Sequence, residues 1–432
     1  MAEYISILVL VLSFILFLGI GTPVAWSIAL SSLLTMMVSI PVLPALTTVS
    51  QRMATGLDSF ALLAIPFFVL SGQLMNKGGV AHRLIAFAKT LVGSLPGGLA
   101  LINVVAAMLM GAIAGSAMAS ASAMGSILGP EMEKEGYSKE FGAAVNITSS
   151  TTGLVIPPSN VLIVYSLASG GVSIAALFLA GYIPGILTGL FLMTVSLLWA
   201  KKKKYKLGKR STLKEVGKTF VDAFPSLLLL VVVIGGIVSG IFTATEASAI
   251  AVLYCLILGF IYKEIKWKDL PKILLDSSST TAIVMLLIGA SMSMSWVMSY
   301  ENIPQDISTS LLGLSDNPIV ILLIINLLLL FVGIFMDMTP AVLIFTPIFL
   351  PVVTKLGMDP IHFGIVMVLN LCIGLCTPPV GSVLFVGVGV ANTTIEKVVK
   401  PLLPLFLAMI LALFLVTYFP QLSLWLPELF GV

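Results

Sequence analysis

Two proline-broken stretches inside otherwise apolar sequence carry the residues that could do chemistry in this chain. The first is Ser149–Asn160 and the second is Gly374–Ser382, and each contains a Gly-Leu pair followed by a Pro-Pro pair. Because proline has no backbone N–H and disfavours helix in the residue before it, carbonyls in both stretches lose their helical partners. In hydrocarbon each such carbonyl costs several kcal/mol unless it is buried in protein or lines a polar cavity. We therefore predict a binding site at each break.

The oxygen atoms at these breaks suit a cation and an anionic substrate. Unwound carbonyls and helix C-termini present negative dipoles, Ser and Thr hydroxyls add neutral oxygens, and half-helix N-termini favour an anion. Sodium fits these ligands better than a transition metal does, because the sequence has no cluster of His, Cys and carboxylates with metal-ligand spacing. The two histidines, His82 and His362, stand alone. Sodium is therefore the ion that we expect, with no organic cofactor.

The two breaks belong to an internal repeat. Gly374 follows Gly153 by 221 residues (374 − 153 = 221), and an ungapped alignment at this offset pairs identical Pro, Lys, Gly and Leu residues in and before both breaks. These pairs include Pro130 with Pro351, Lys134 with Lys355, Gly136 with Gly357, Gly153 with Gly374, Leu154 with Leu375, Pro157 with Pro378, and Pro158 with Pro379. Self-similarity at a fixed offset indicates duplicated structural units. The sequence therefore predicts two related halves.

Composition places the whole chain in a membrane. Of its 432 residues, 59% are hydrophobic and 9% charged, and the mean hydropathy is +1.14, values typical of a polytopic membrane protein. The longest polar interruption, Lys201–Lys218, is too short to fold alone, so residues 1–432 are expected to form one membrane-embedded unit. A net charge of only +3 argues against nucleic acid as a partner. Cys255, Cys372 and Cys376 lie in apolar segments and are expected to be buried thiols, not a disulfide or metal pair.

Two further segments contain polar interruptions within long apolar runs. Residues 97–130 include a run of Gly, Ala and Ser at Gly111–Gly125, which is typical either of close helix packing or of a re-entrant hairpin. Its counterpart in the second half, within residues 319–352, contains the charged Asp337 and Pro340. A charge and a proline there favour a hairpin that enters the membrane, turns at a polar tip and leaves on the same side. We predict one such hairpin in each half.

The distribution of positive charge supports a map of ten crossings. The predicted crossings lie near residues 4–20, 23–40, 60–76, 138–168, 173–199, 222–243, 246–262, 277–299, 363–390 and 401–419. With the N-terminus outside, one face carries 20 of the 22 Lys and Arg residues, all except Arg52 and Lys355, and is therefore predicted to be cytoplasmic. Five crossings separate the two hairpins. Because five is odd, the first hairpin opens from the cytoplasm and the second from outside, and the repeats are inverted.

The expected fold is an all-α polytopic membrane protein of two inverted repeats, each with a re-entrant helical hairpin and a proline-broken helix. Secondary transporters have this architecture and bind substrate and ion near the bilayer midplane.

Basic residues at helical spacing in Asn76–Lys89 predict either an amphipathic surface helix or a basic loop. The predicted order is scaffold and arm helices in 1–96, the first hairpin and broken helix in 97–199, a cytoplasmic basic linker in 200–221, scaffold and arm helices in 222–316, the second hairpin and broken helix in 317–400, and a C-terminal span in 401–432.

Several motifs together resemble the large membrane subunit of the tripartite ATP-independent periplasmic (TRAP) transporters. They are Gly115–Gly125, Ile156–Asn160 with Tyr165, Gly240–Ala247, Met336–Pro340 and Gly374–Gly381. The resemblance covers nearly the whole chain. One departure is Ser120, which stands where many members carry an acidic residue at the first hairpin tip.

The resemblance implies a sodium-driven importer of elevator type, of the ion-transporter superfamily kind, in the bacterial inner membrane. It also implies two partners. One is a small four-helix membrane subunit, and the other is a periplasmic protein that delivers a carboxylate such as a C4-dicarboxylate or sialic acid. We expect the small subunit to be a separate chain, because the sequence starts directly with the large one.

Other classes of function fit the sequence less well. An ATP-driven pump needs a phosphate-binding loop, but Gly217–Thr219 lacks the glycine five residues earlier, where Thr212 stands. A membrane enzyme needs a catalytic group at depth, and neither Glu246 nor Asp337 has a Ser-His or metal motif beside it. A channel tolerates re-entrant loops but gives unitary currents, not saturable uptake. The nearest alternative is a stand-alone dicarboxylate/sodium symporter, which needs no binding protein.

The paired tips and breaks define the candidate ligands. One sodium site is predicted between the first tip and first break, a second between the second tip and second break, and the substrate between the two tips. The first sodium site comprises Ser116, Ser120, Thr152, Gly153, Val155 and Pro157, the second Asp337, Met338, Thr339, Gly374, Thr377 and Pro378, and the substrate site Ser116, Ser159, Asn160, Asp337 and Thr377. Ser159 and Asn160 have an alternative role, which is only to cap the helix that resumes after Pro158.

Two carboxylates, Glu246 and Asp337, fall where hydrocarbon should exclude them. A charge at the bilayer centre costs about 2.5–3.5 kcal/mol on insertion scales, so each needs a partner, a cavity or a proton. Glu246 is predicted to be structural, as the fourth residue of a capping box that starts at Thr243. Asp337, at the second hairpin tip, is predicted to act in transport.

Overall fold

The computed structural model describes residues 2–205, 208, 211–315 and 317–432. Regular structure in these residues is helical throughout, with no strand, and eight of the helical segments described are long and apolar enough to cross a membrane. A helix suits this setting because it satisfies every backbone hydrogen bond within one segment. The predicted all-α fold is confirmed. Lys206, Lys209 and Arg210 of the predicted basic linker lie outside the described residues.

The first half of the chain ends with a long helix. Its helices are α1 Ala2–Gly19, α2 Val24–Ser39, α3 Val42–Thr55, α4 Ala64–Lys77, α5 Val80–Val92, α6 Gly98–Ala114, α7 Ala117–Lys134, α8 Lys139–Thr152, α9 Asn160–Ala168 and α10 Ile174–Lys203. A 3-10 turn, Phe60–Leu63, leads into α4. The first hairpin is formed by α6 and α7, and the first broken helix by α8 and α9.

The second half contains a hairpin and a broken helix in the same order as the first. Its helices are α11 Leu213–Val238, α12 Ala244–Ile261, α13 Leu270–Tyr300, α14 Ile303–Leu312, α15 Pro318–Phe335, α16 Met338–Lys355, α17 Pro360–Gly374, α18 Ser382–Val390, α19 Ile395–Tyr418 and α20 Gln421–Phe430. A 3-10 turn, Trp267–Asp269, precedes α13. The second hairpin is formed by α15 and α16, and the second broken helix by α17 and α18.

Helix bounds in the two halves follow the 221-residue offset of the sequence. Both ends of α7 map onto both ends of α16 (117 + 221 = 338 and 134 + 221 = 355). The starts of α8 and α17 correspond in the same way (139 + 221 = 360), as do those of α10 and α19 (174 + 221 = 395). The hairpin and broken-helix elements of the two halves are therefore equivalent in length and order.

Two helix ends lie elsewhere than predicted, and one open alternative is resolved. The linker is shorter than 200–221, because α10 continues to Lys203 and α11 begins at Leu213. A capping box explains the early start of α11, since Thr212 N–H donates to Glu215 Oε2 at 2.7 Å and Glu215 N–H donates to Thr212 Oγ1 at 3.3 Å. The segment predicted as either amphipathic helix or loop is helical as α5, with an apolar side buried in the protein.

The two halves interlock at the centre of the protein. There α9 packs on α16, α18 packs on α7, and α8 contacts α17. Since α16 and α18 are the offset counterparts of α7 and α9, each hairpin contacts the resumed helix of the other half. Around this centre, α4 packs on α12, α2 on α13 and α5 on α11. The candidate site residues therefore lie in the interlocked part of the fold.

Candidate functional site

Both predicted breaks are present. The first helix stops at Thr152 and resumes at Asn160, and the second stops at Gly374 and resumes at Ser382. Each intervening segment contains a cis Pro-Pro peptide bond. Residues 153–157 are fully buried, as are the first residues after Gly374. Later in the second break, Thr377 and Pro378 are half-buried, and Pro379 and Val380 are exposed. The first break is therefore enclosed by protein, as the cost of exposing carbonyls to hydrocarbon requires, and the second is enclosed only in part.

The first hairpin tip lies directly against the first break. The left-handed Gly115 (φ +61°) ends α6, and Ser116 begins α7, where its Oγ accepts a hydrogen bond from Ala119 N–H at 3.3 Å. A Cβ added at Gly111 would lie 2.7 Å from Cα of Gly153, and one at Gly115 would lie 2.8 Å from Nδ2 of Asn160. Only glycine permits this approach, so the tip and the break form one surface.

The second tip meets the second break in the same way. A Cβ at Gly333 would lie 3.1 Å from Cα of Gly374. Asp337 is the N-cap residue of α16, but its side chain makes no capping hydrogen bond. The Asp337 side chain is exposed at the protein surface, whereas Met338 is buried and Thr339 half-buried. A carboxylate without a capping bond therefore stands at this tip.

Several buried hydroxyls at the first tip and break have no partner within the described residues. Ser120 and Ser159 are 0% and 1% exposed, and neither Oγ makes a hydrogen bond there. Ser159 stands at the N-cap of α9 without making a capping bond, so its side chain gives no support to the alternative that it only caps this helix. Ser150 Oγ, one turn before the break, likewise makes no hydrogen bond within the described residues. Buried polar groups are normally bonded, and these oxygens suit a ligand.

Two threonines at the breaks keep acceptor capacity. Thr152 Oγ1 donates to the Thr148 carbonyl at 3.2 Å, and Thr377 Oγ1 donates to the Ile373 carbonyl at 2.7 Å. A hydroxyl that has donated its proton retains lone pairs for a cation. The Val155 carbonyl is in close contact with Gly181 of α10. Its role as a ligand remains a prediction.

The five predicted substrate residues fall into two groups. Ser116, Ser159 and Asn160 belong to the first tip and break, and Asp337 and Thr377 belong to the second. Ser159 and Asn160 lie at the N-terminus of α9, and Asp337 lies at the N-terminus of α16. Half-helix N-termini attract negative charge. The arrangement can hold an anion from two sides.

The two sites are joined through equivalent positions of the two halves. Cys372 Sγ donates to the Thr151 carbonyl at 3.2 Å, and these residues are related by the repeat offset (372 − 151 = 221). Thr151 Oγ1 also lies 3.5 Å from Cys376 Sγ. All three cysteines are buried free thiols, as predicted. Tyr165, from one of the motifs, links the halves again by donating to the Pro360 carbonyl at 2.6 Å.

A set of buried asparagines was missed by the sequence reasoning. Asn370 Nδ2 donates to Asn326 Oδ1 at 2.8 Å and so ties α17 to α15. In the first half, Ser149 Oγ donates to Asn103 Oδ1 at 3.3 Å and ties α8 to α6. Amides within apolar helices are costly unless bonded, and this is the signal that could have found them. Each broken helix is thus fixed to its own hairpin.

Glu246 has the structural role that was predicted. Its Oε2 accepts hydrogen bonds at 2.8 Å from both the N–H and the Oγ1 of Thr243, and its own N–H donates to Thr243 Oγ1 at 3.2 Å. This completes a capping box at the start of α12. The carboxylate is stabilised by these bonds and belongs to neither tip.

Sequence comparison connects this geometry to known proteins. The family model for "Tripartite ATP-independent periplasmic transporter, DctM component" matches residues 11–422. The chain is 57% identical to the uncharacterized protein YgiK of Salmonella typhimurium over 430 residues, which is 99% of each chain. It is 41% identical to the isethionate TRAP transporter permease protein DctMQ of Oleidesulfovibrio alaskensis, over 98% of this chain and 67% of that one. It is 40% identical to the sialic acid TRAP transporter large permease protein SiaM of Vibrio cholerae, over 88% and 89%.

The fold also resembles a solved structure. The YdaH transporter of Alcanivorax borkumensis superposes with a TM-score of 0.67 over 88% of this chain and 89% of that one, at 14% sequence identity, a likeness of fold alone. The named relatives are permease subunits of transporters, which confirms the prediction that the chain is not an enzyme. With the family model covering nearly all of the chain, this multi-pass membrane protein belongs to the DctM family, the large permease components of the tripartite ATP-independent periplasmic transporters.

Proposed function

We propose that this chain uses a sodium gradient to import an organic anion, which binds between the two hairpin tips. The observation that carries the proposal is the pairing of each tip with a break through glycine contacts, Gly111 with Gly153 and Gly333 with Gly374. Buried hydroxyls without partners in the described protein lie at the first pair. Neutral oxygens and backbone carbonyls around unwound helix are the ligands that secondary transporters use for sodium.

One sodium ion is proposed at each pair. The first site uses Ser116, Ser120 and the break from Thr152 to Pro157. The second uses Asp337, Met338, Thr339 and the break from Gly374 to Pro378. The two sites differ in charge. The second contains the carboxylate of Asp337, whereas the first has the neutral Ser120 at its tip. We expect the second site to bind sodium more tightly, because a carboxylate adds a full negative charge.

The substrate is proposed to lie against Ser116, Ser159, Asn160, Asp337 and Thr377. Hydroxyl and amide donors can bond an acid group, and the N-termini of half-helices favour its charge. Two relatives differ in the acid group they are named for, a carboxylate in sialic acid and a sulfonate in isethionate. We propose a carboxylate, of the C4-dicarboxylate or sialic acid type.

The proposed setting is the bacterial inner membrane, with the N-terminus periplasmic and the basic loops cytoplasmic. The asymmetry of Lys and Arg supports this orientation. The proposed partners are a small four-helix membrane subunit and a periplasmic substrate-binding protein, because the family is tripartite. The proposed movement is of elevator type, in which the interlocked hairpins and broken helices of two inverted repeats move together against the surrounding helices.

Uptake into proteoliposomes tests the proposal. The full chain, with and without its small subunit, would be reconstituted, and labelled carboxylates and isethionate would be offered with and without binding proteins. We expect saturable uptake that requires an inward sodium gradient, the small subunit and one binding protein. Uptake without any binding protein would identify a stand-alone symporter instead. Uptake at the same rate with and without a sodium gradient would refute the proposed coupling to sodium.

A further inference from the structure

A basic cavity lies outside the candidate transport site, where α10 ends and α19 begins. It has a volume of about 540 Å³ and opens to the surface. Lys202 and Lys203 line it from the last turn of α10, and Lys397 and Lys400 line it from the first turns of α19. The start of α8 forms its third side. Four lysines from two helices therefore converge on one space.

The cavity is strongly positive. Against its four lysines stands one acidic lining residue, Glu140, so the lining carries a formal charge of +3 (4 − 1). Within the part of the chain that the structure describes, none of the four lysines forms an ion pair with a carboxylate. Like charges held together repel one another unless an anion joins them. The electrostatics favour a bound anion.

Helix ends and an indole add to this preference. The cavity lies near the N-termini of both α8 and α19, and helix N-termini attract anions. Trp199 also lines the cavity and stacks on Phe141 with ring centroids 5.3 Å apart. Its Nε1–H is buried and donates to no acceptor in the described residues. Buried indole N–H groups normally have a hydrogen-bond partner, and the described residues supply none to this one.

Apolar side chains continue from the lysines along both helices. Leu198, one turn before Lys202, is 60% exposed. Leu403 and Leu407, one and two turns after Lys400, are 55% and 56% exposed. Residues at these spacings share a helix face, and both helices have the length and hydropathy of membrane spans. A basic cavity with exposed apolar side chains one turn away along both helices matches a lipid, with its charged headgroup and acyl chains, better than a free phosphate.

We propose that this cavity binds the phosphodiester headgroup of an anionic phospholipid, whose acyl chains lie on Leu198, Leu403 and Leu407. Basic pockets between membrane helices bind anionic headgroups by this chemistry. The site is separate from the tips and breaks, so it stands whether or not the chain imports a carboxylate. It also fixes the ends of α10 and α19 at the level of the headgroups.

Lipid binding to the purified full-length protein tests the proposal. Native mass spectrometry would count bound lipids at increasing phosphatidylglycerol, with phosphatidylcholine in a parallel titration. We expect one phosphatidylglycerol to bind at least tenfold more tightly than phosphatidylcholine. The double variant K397Q/K400Q should lose roughly tenfold or more of this affinity, as juxtamembrane lysines contribute to anionic lipid binding. The matched control K268Q/K272Q removes two exposed lysines elsewhere and should keep it.

Two further experiments distinguish a bound lipid from a bound free anion. L198N/L403N, which leaves every lysine in place, should weaken phosphatidylglycerol binding, and millimolar inorganic phosphate should not displace the lipid. Equal losses in the two lysine pairs would show a non-specific charge effect and overturn the proposal. So would displacement by inorganic phosphate, or unchanged binding in L198N/L403N, since either result would make the cavity a site for a soluble anion. Gel filtration and circular dichroism would confirm that each variant is folded.

Discussion

A methyl group at Gly374 should weaken the second sodium site by separating the hairpin tip from the break. A Cβ at this position would lie 2.5 Å from Cα and 2.9 Å from the carbonyl oxygen of Gly333. Ordinary contacts of this kind begin at 3.4 Å, so the two backbones must separate by about 0.9 Å (3.4 − 2.5). No side-chain rotation can relieve the clash, because both atoms belong to the backbone.

The size of the effect follows from the cost of overpacking. Such insertions cost about 1–3 kcal/mol, and each 1.4 kcal/mol changes an equilibrium constant about tenfold. The cost falls on the closed, ion-bound state, because there the tip and the break supply ligands to the same ion. We therefore expect Gly374→Ala to raise the sodium concentration for half-maximal uptake roughly tenfold. Gly153→Ala should act similarly at the first site, since its Cβ would lie 2.5 Å from Cα of Gly111.

Sodium titration of uptake in proteoliposomes measures this effect. Gly389→Ala is the matched control, because a Cβ there meets no atom within 4 Å and the residue lies on α18. Gly153→Val and Gly374→Val extend the series to a larger side chain and should raise the half-maximal sodium concentration further. If neither site changes its sodium dependence in these variants, the placement of sodium between the tips and breaks is refuted.

Three further predictions address individual side chains. Asp337→Asn should keep expression and folding but lower uptake strongly, because it removes the charge at the second tip; normal uptake at matched protein level would remove Asp337 from the mechanism. Glu246→Ala should lower the free energy of unfolding through loss of the capping box, as measured by thermal unfolding, while uptake per folded protein stays unchanged. Ser116→Ala combined with Asn160→Ala should weaken uptake far more than sodium binding measured by calorimetry, and equal losses would mean that these residues only support the fold.

The breaks and hairpins could be predicted because local chemistry determines them. Proline removes backbone donors wherever it stands, so Pro157 and Pro378 mark both breaks in the sequence itself. Glu246 was predictable for the same reason, since a capping box spans only four residues. Features that depend on a few neighbouring residues are visible without a structure.

Features that depend on distant contacts or weak patterns were not predictable. The helices α3, α14 and α20 are too short to span a membrane, so a search for apolar runs of spanning length does not find them. The contact between Thr151 and Cys372 joins residues 221 positions apart, and no local sequence pattern predicts it. The unpaired state of Ser159 depends on which groups surround it in three dimensions.

The contact between Thr151 and Cys372 also sets the order in which the protein can mature during synthesis. The carbonyl that Cys372 bonds is made 221 residues before the thiol (372 − 151 = 221). At about 5–20 residues per second, ribosomes need roughly 10–45 s to make that length. During this interval α7 and α9 lack the helices of the second half on which they pack. Until α16 and α18 have been made, α7 and α9 are held only by contacts within the first half, and the Thr151 carbonyl lacks the thiol from which it accepts a hydrogen bond.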